Sequence, residues 1–185
     1  MTEKKYRPNV GLMIVNAGGN VLMCERVDDK GAFQMPQGGI DAGETPEQAA
    51  WRELSEETGL ARDDVRLLGQ TRAWHQYDFS PESQYHKGFA GQRQKWFLFL
   101  LTAPESRIDF NTHHVEFQSC RWMSPDEALA VIWPGKRPVY RAAFDELKPL
   151  FPAASARPAQ PAPAPSKRSW TQRTPPSRDA IRKTR

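Results

Sequence analysis

The sequence predicts an α+β or α/β-sandwich fold, and three features predict it. Two apolar, β-prone runs at 10–15 and 21–26 flank the glycine-bearing NAGGN, as in a hairpin. A sharply bounded helix follows at 46–58. Further on, QKWFLFLL reads as a buried strand and 138–150 as an amphipathic helix, with Val139, Ala143, Phe144 and Leu147 on one face.

Taken in order, YRPNVG leads into the first strand, and Glu25 and Arg26 lie just inside the return strand. DDKGAFQMPQ is then a loop running into a glycine pair. The helix has an N-cap hydroxyl at Thr45, proline at its first position and a capping-box glutamine, Gln48; Gly59 stops it. Residues 65–74 read as a strand, and the polar HQYDFSPESQYHKGFAGQ as an exposed loop. Lys95 sits at the mouth of the QKWFLFLL strand. A loop then leads to a strand at 115–123, and Ser124 to Glu127 form a second capping box opening a short helix. Trp51, Trp96 and Trp122 read as core, while Trp74 and Phe89 could stack on a base.

The net charge of +4 is unevenly placed. Residues 152–185 hold eight Lys/Arg against one Asp, a balance of +7, leaving −3 on residues 1–151. Seven of the 16 prolines also lie in 152–185, so that segment cannot bury enough apolar surface to offset its ordering entropy. The division expected is a folded domain at 1–151 and a disordered, Pro/Ala-rich basic tail at 152–185, suited to contact RNA. The N-terminal MTEKKYRPN has no apolar core and reads as no signal peptide, and no apolar run is long enough to cross a bilayer. With two cysteines, Cys24 and Cys120, read as reduced thiols, a cytoplasmic protein with no membrane contact is expected.

The chemistry concentrates in GGIDAGETPEQAAWRELSEETGL, residues 38–60. Glu53, Glu56 and Glu57 fall on one narrow wedge of the helix, where like charges cost about 0.2–0.5 kcal/mol per pair. A hard cation offsets that cost, since magnesium favours a few carboxylates plus substrate phosphates. Arg52 can pair with Glu56 one turn on.

This stretch resembles the Nudix box, and Gly38, Glu44, Arg52, Glu53, Leu54, Glu56, Glu57, Gly59 and Leu60 fill its positions. The resemblance implies a mixed β-sheet sandwiched between helices, with the box as loop-helix-loop. It also implies hydrolysis of a nucleoside diphosphate linked to another group, with Gly38, Gly39, Glu44, Arg52 and Gly59 supporting the box. YRPNVG, MPQGGI, GQRQKWFL, VEFQSCRWMS and KRPVYR resemble segments of the bacterial RNA pyrophosphohydrolase and dinucleoside polyphosphate hydrolase subfamily. That likeness implies divalent metal, magnesium or manganese, on Glu53, Glu56, Glu57 and Glu116. The general base is then Glu57 or an acid outside the box, with Glu116 assisting and Glu53 in the catalytic set. Arg7 and Arg26 match family arginines that meet the 5′ phosphates, and Lys95 and Lys136 are further substrate-binding candidates.

The reaction implied converts 5′-triphosphorylated RNA ends to 5′-monophosphate ends, opening the transcript to decay. The alternative is a diadenosine polyphosphate hydrolase. A non-catalytic nucleotide- or RNA-binding module would be expected to lack some box carboxylates, yet all three remain.

Overall fold

The computed structural model describes residues 4–81, 88–111 and 115–152. The segment from 153 onward, and with it nearly all of the expected tail, lies outside the described residues, as do His113 and His114.

Strand β1 (Tyr6–Val15) forms the middle of the sheet. Its side chains from Val10 to Val15 are buried on both faces, the mark of a strand covered on two sides. Its long partner is β7 (Gly91–Leu101), which runs parallel to it from Tyr6↔Gly91 to Val15↔Leu100. Strands β5 (Val65–Gln70) and β6 (His75–Asp78) pair antiparallel with the other edge of β7. Strand β4 (Gln37–Gly39) pairs with the first half of β1. Strand β2 (Val21–Arg26) pairs along its length with β8 (Phe117–Met123), and β3 (Phe33–Gln34) adds to its other side.

Period-two alternation divides the core. Leu12, Ile14, Phe97 and Phe99 face helix α1 (Pro46–Thr58) with its Ala49, Ala50 and Leu54. Met13, Val15, Trp96 and Leu98 face the opposite layer, α2 (Pro125–Val131) and α3 (Arg137–Leu147), through Ala128, Tyr140 and Phe144. The sheet is therefore mixed and sandwiched between helices, as expected. Among the described residues no helix is long and apolar enough to cross a membrane.

Helix α1 begins and ends where its caps place it. Thr45 Oγ1 accepts from the Gln48 amide at 3.2 Å, and Gln48 Oε1 accepts from the Thr45 amide at 2.8 Å. Gly59 takes the left-handed conformation, φ 68°, that only glycine adopts at low cost, and its N–H donates to Ser55 O. The second capping box, Ser124 with Glu127, opens α2.

Four local expectations need correction. The first hairpin closes at a turn but shares a single β1–β2 register pair, Val15↔Val21, because each strand has a longer partner elsewhere. The strand expected over 65–74 stops at Gln70, after a bulge between Leu67 and Gly69. Part of the expected exposed loop is β6, held by the ladder to β7 and by Tyr77 donating to Gln92 Oε1 at 2.7 Å. Finally, the loop into the glycine pair contains β3 and β4, too short to show any periodicity.

Candidate active site

The loop between β4 and α1 folds back over the helix because Arg52 ties both together. Its guanidinium donates to Gly39 O at 2.8 Å and to both Glu44 carboxylate oxygens at 2.9 Å. It also donates to Glu53 Oε1 at 2.7 Å and to Glu56 Oε2 at 3.2 Å. Glu44 in turn accepts from the Asp41 amide, so its carboxyl stays below the usual carboxylate range, chiefly through Arg52. The i,i+4 pairing of Arg52 with Glu56 is as expected.

The three box carboxylates are not equivalent. Glu53 and Glu57 are buried, whereas Glu56 is exposed beside Arg52. Glu57 Oε2 accepts from the Gln37 amide at 2.7 Å. Glu116, far along the chain on the approach to β8, lines the same cleft as Glu57, close enough for its charge to act on the Glu57 carboxyl. Burial raises the Glu57 carboxyl well above its usual range, and the Glu116 and Glu53 charges raise it further. Glu53 is raised too, mainly by burial, against the lowering pull of Arg52.

Two glycines permit this crowding. A Cβ on Gly38 would lie 1.8 Å from the Glu53 carboxyl carbon, and one on Gly39 would lie 2.4 Å from Arg7 Nη2. Among the described residues no three His, Cys, Asp or Glu converge tightly enough to hold a metal ion. The expected four-carboxylate ligand set is thus adjacent but not closed, with Glu53 drawn to Arg52 and Glu57 to the Gln37 amide. The donors are nonetheless all oxygen, with too little positive charge beside Glu57, and that chemistry fits a hard divalent cation.

Facing the carboxylates is a cleft of about 1050 Å³ lined by Arg7, Arg26, Lys136, Gln37, Tyr77 and Gln92, among others. Lys136 donates to Gln34 Oε1 at 2.9 Å and Gln37 Oε1 at 3.2 Å, with its ammonium 5.5 Å from the Tyr77 ring centroid. Burial, reinforced by the Arg26 charge, lowers its pKa to about 7. Four exposed apolar side chains, Val27, Val115, Val131 and Trp133, rim the opening and suit a nucleobase. Sequence reading missed Gln34, Gln37, Tyr77 and Gln92, because an uncharged polar floor carries no motif of its own.

The structure brings Arg7, Arg26, Lys136 and Glu116 to the box glutamates. It does not bring Lys95. In β7 the alternate residues Gln92 and Gln94 reach Gln37 on the cleft side, so Lys95 points to the other face. Its ammonium donates to Arg72 O at 2.9 Å. Trp74 is likewise engaged elsewhere, beneath the Arg93 guanidinium.

Comparisons with known proteins agree with this geometry. A model of the NUDIX domain matches residues 5–143. The RNA pyrophosphohydrolase of Rhodospirillum rubrum is 48% identical over 145 residues, covering 77% of this chain and 87% of that protein. Its counterpart in Novosphingobium aromaticivorans is 44% identical over 152 residues, covering 79% and 94%. Among solved structures, the E. coli dihydroneopterin triphosphate pyrophosphohydrolase superposes with a TM-score of 0.58 at 21% identity, covering 77% of this chain and 99% of that one. A C. elegans Ap4A hydrolase complex does so with 0.56 at 19%, covering 77% and 98%. At such identities these structural likenesses speak to the fold.

Proposed function

This chain belongs to the NUDIX domain family of hydrolases, and from that premise we propose that it is an RNA pyrophosphohydrolase converting 5′-triphosphorylated ends to 5′-monophosphate ends. The observation that carries this reading is the placing of Glu116 beside buried Glu57 in one open cleft that Arg7, Arg26 and Lys136 also line. A polyphosphate chain is a dense anion, and Arg7, Arg26 and Lys136 receive it where the carboxylates alone would repel it. Enzymes of this family use divalent metal ions. Held by Glu53, Glu56, Glu57 and Glu116, magnesium, or manganese in its place, would neutralise phosphate oxygens and acidify a water. Glu57 accepts the proton of the attacking water, and Glu116, whose charge acts on it from the same cleft, passes that proton on toward solvent. Arg52 fixes Glu53 and Glu56 in place. The basic segment 152–185 holds the body of the RNA electrostatically in the cytoplasm, a contribution read from the salt dependence of KM with and without it.

The deciding experiment compares turnover of 5′-triphosphorylated RNA and of a diadenosine polyphosphate, in one preparation at one magnesium concentration. A kcat/KM for RNA at least about tenfold higher, or 1.4 kcal/mol, is expected; the reverse preference assigns the protein to dinucleotides.

Two further results are expected. Replacing Arg7 with alanine raises KM for triphosphorylated RNA about tenfold with little change in kcat, because a charge-assisted bond to phosphate is lost. An unchanged KM would leave Arg7 a surface residue. Lys136, with its pKa near 7, is protonated below that pH and loses charge above it. Anion binding favours the protonated form, so KM should climb between pH 6 and pH 8. In Lys136→Arg, which stays charged, that climb should flatten. Parallel KM profiles in the two proteins would show that Lys136 does not meet the phosphates.

A further inference from the structure

Arg26 reaches the cleft with its fork engaged. Its Nε donates to Asp28 Oδ1 at 2.8 Å and its Nη2 to Asp28 Oδ2 at 2.6 Å, the bidentate geometry that a guanidinium also offers to phosphate. Both residues line the cleft. Arg7 and Lys136 line it too, and among the described residues neither forms an ion pair.

The carboxylate that fills the fork stands on a pinned loop. The Arg26 amide donates to Ala32 O and the Val27 amide to Glu116 O, each at 3.0 Å. The Gly31 amide donates to Glu25 Oε1 at 2.9 Å, while the Ser119 hydroxyl holds Glu25 Oε2 at 2.7 Å. Asp28 is therefore an anion on an anchored loop, set into the same cleft as Arg7 and Lys136.

We propose that Asp28 is a specificity-determining residue, an internal carboxylate that a substrate phosphate must displace from Arg26 before it engages that arginine. This rests on the reading that Arg26 meets the terminal phosphates. Displacement exchanges one anion for another at the same fork, so the ligand gains only its surplus charge and whatever it makes with Arg7 and Lys136. A triphosphate end has several phosphates to spread over those cations and outcompetes Asp28. The monophosphate product reaches fewer of them and gains little. Asp28 thus weakens the hold on product more than the hold on substrate.

The test uses the full chain and its Asp28→Asn and Asp28→Ala variants. Three quantities are read: KM for triphosphorylated RNA, the inhibition constant of the same RNA bearing a 5′-monophosphate, and the affinity for inorganic pyrophosphate. Both variants should bind the monophosphate end about fivefold more tightly, the upper end for an exposed ion pair. KM should fall by a smaller factor, and the gain should vanish when Arg26→Ala is added. Monophosphate affinity that is unchanged or weaker in both variants overturns the proposal and leaves Asp28 a prop that orients Arg26. If the wild type does not turn over triphosphorylated RNA, the functional reading fails by itself. Pyrophosphate affinity then still decides whether Asp28 competes for Arg26: tighter binding in Asp28→Asn upholds it, equal binding removes it.

Discussion

Replacing Glu57 with glutamine should cost on the order of 10²–10⁴-fold in kcat, the range for loss of a group that moves a proton in the transition state. The amide is isosteric and its oxygen can still accept from the Gln37 N–H, which now takes the carboxylate at 2.7 Å. What disappears is the anion. The same substitution should leave metal-free stability unchanged or raised. Burial and the neighbouring Glu116 and Glu53 lift the Glu57 carboxyl above its usual range, so the folded state holds that proton more tightly than the unfolded chain. Its stabilising contribution is present below the ordinary carboxylate pKa and is lost as pH rises through the raised value. Above the raised value the ionised group therefore strains the fold, and a neutral amide does not. Divalent cation should reverse the order, raising the wild-type Tm more than that of the variant. A variant retaining more than about a tenth of the wild-type rate would remove Glu57 from the proton-transfer step. Equal metal-induced Tm shifts in the two proteins would remove it from the ligand set.

How much of this site could be read from the sequence depends on how local each signal is. The limits of α1 were legible because Thr45, Gln48 and Gly59 act within one turn of the residues they cap. Arg52 was legible in its i,i+4 partner, Glu56, but not in its bonds to Gly39 O and both oxygens of Glu44, which need the loop to fold back. The sheet order was not legible. Parallel pairing of β1 with β7 joins Tyr6 to Gly91, and nothing near either residue announces the other. Lys95 shows the same limit at one residue. Its assignment to the cleft turned on which face of β7 it occupied, and a one-residue step in register reverses that face. Glu116 entered the site only through the resemblance, since its contact with Glu57 depends on β8 pairing with β2. The Arg26–Asp28 fork lies within three residues, yet the sequence offered no reason to prefer that pairing over a solvated loop.

A single methyl group at Gly38 should disable the enzyme while leaving it folded. In Gly38→Ala the new Cβ would stand 1.8 Å from the Glu53 carboxyl carbon and about as close to both of its oxygens, at 2.0 and 2.1 Å. The backbone at this position is not left-handed, so alanine brings no conformational strain of its own. The obstructed atoms are the far end of a flexible side chain, so the clash is relieved by swinging the Glu53 carboxylate aside rather than by unfolding. Overpacking a buried site costs about 1–3 kcal/mol, and easy relief puts this case near the lower bound, a fall of several degrees in Tm. Catalysis has no such escape. Glu53 would leave the Arg52 nitrogen it now meets at 2.7 Å and move away from Glu57 and the cleft. A displacement of about 1 Å in a positioning group can cost on the order of 100-fold in rate. The expected result is therefore kcat/KM lowered about 100-fold, with far-ultraviolet circular dichroism unchanged. Shortening the acid in the same chain, as Gly38→Ala with Glu53→Asp, should recover part of the loss, because the carbon that collides is withdrawn by one bond. Activity within about threefold of wild type in the single variant would mean that the position of the Glu53 carboxylate does not matter to the reaction, on a scale where a 1 Å misplacement counts for far more. Aggregation or a collapsed Tm would instead make Gly38 a folding residue and leave the role of Glu53 to direct substitution.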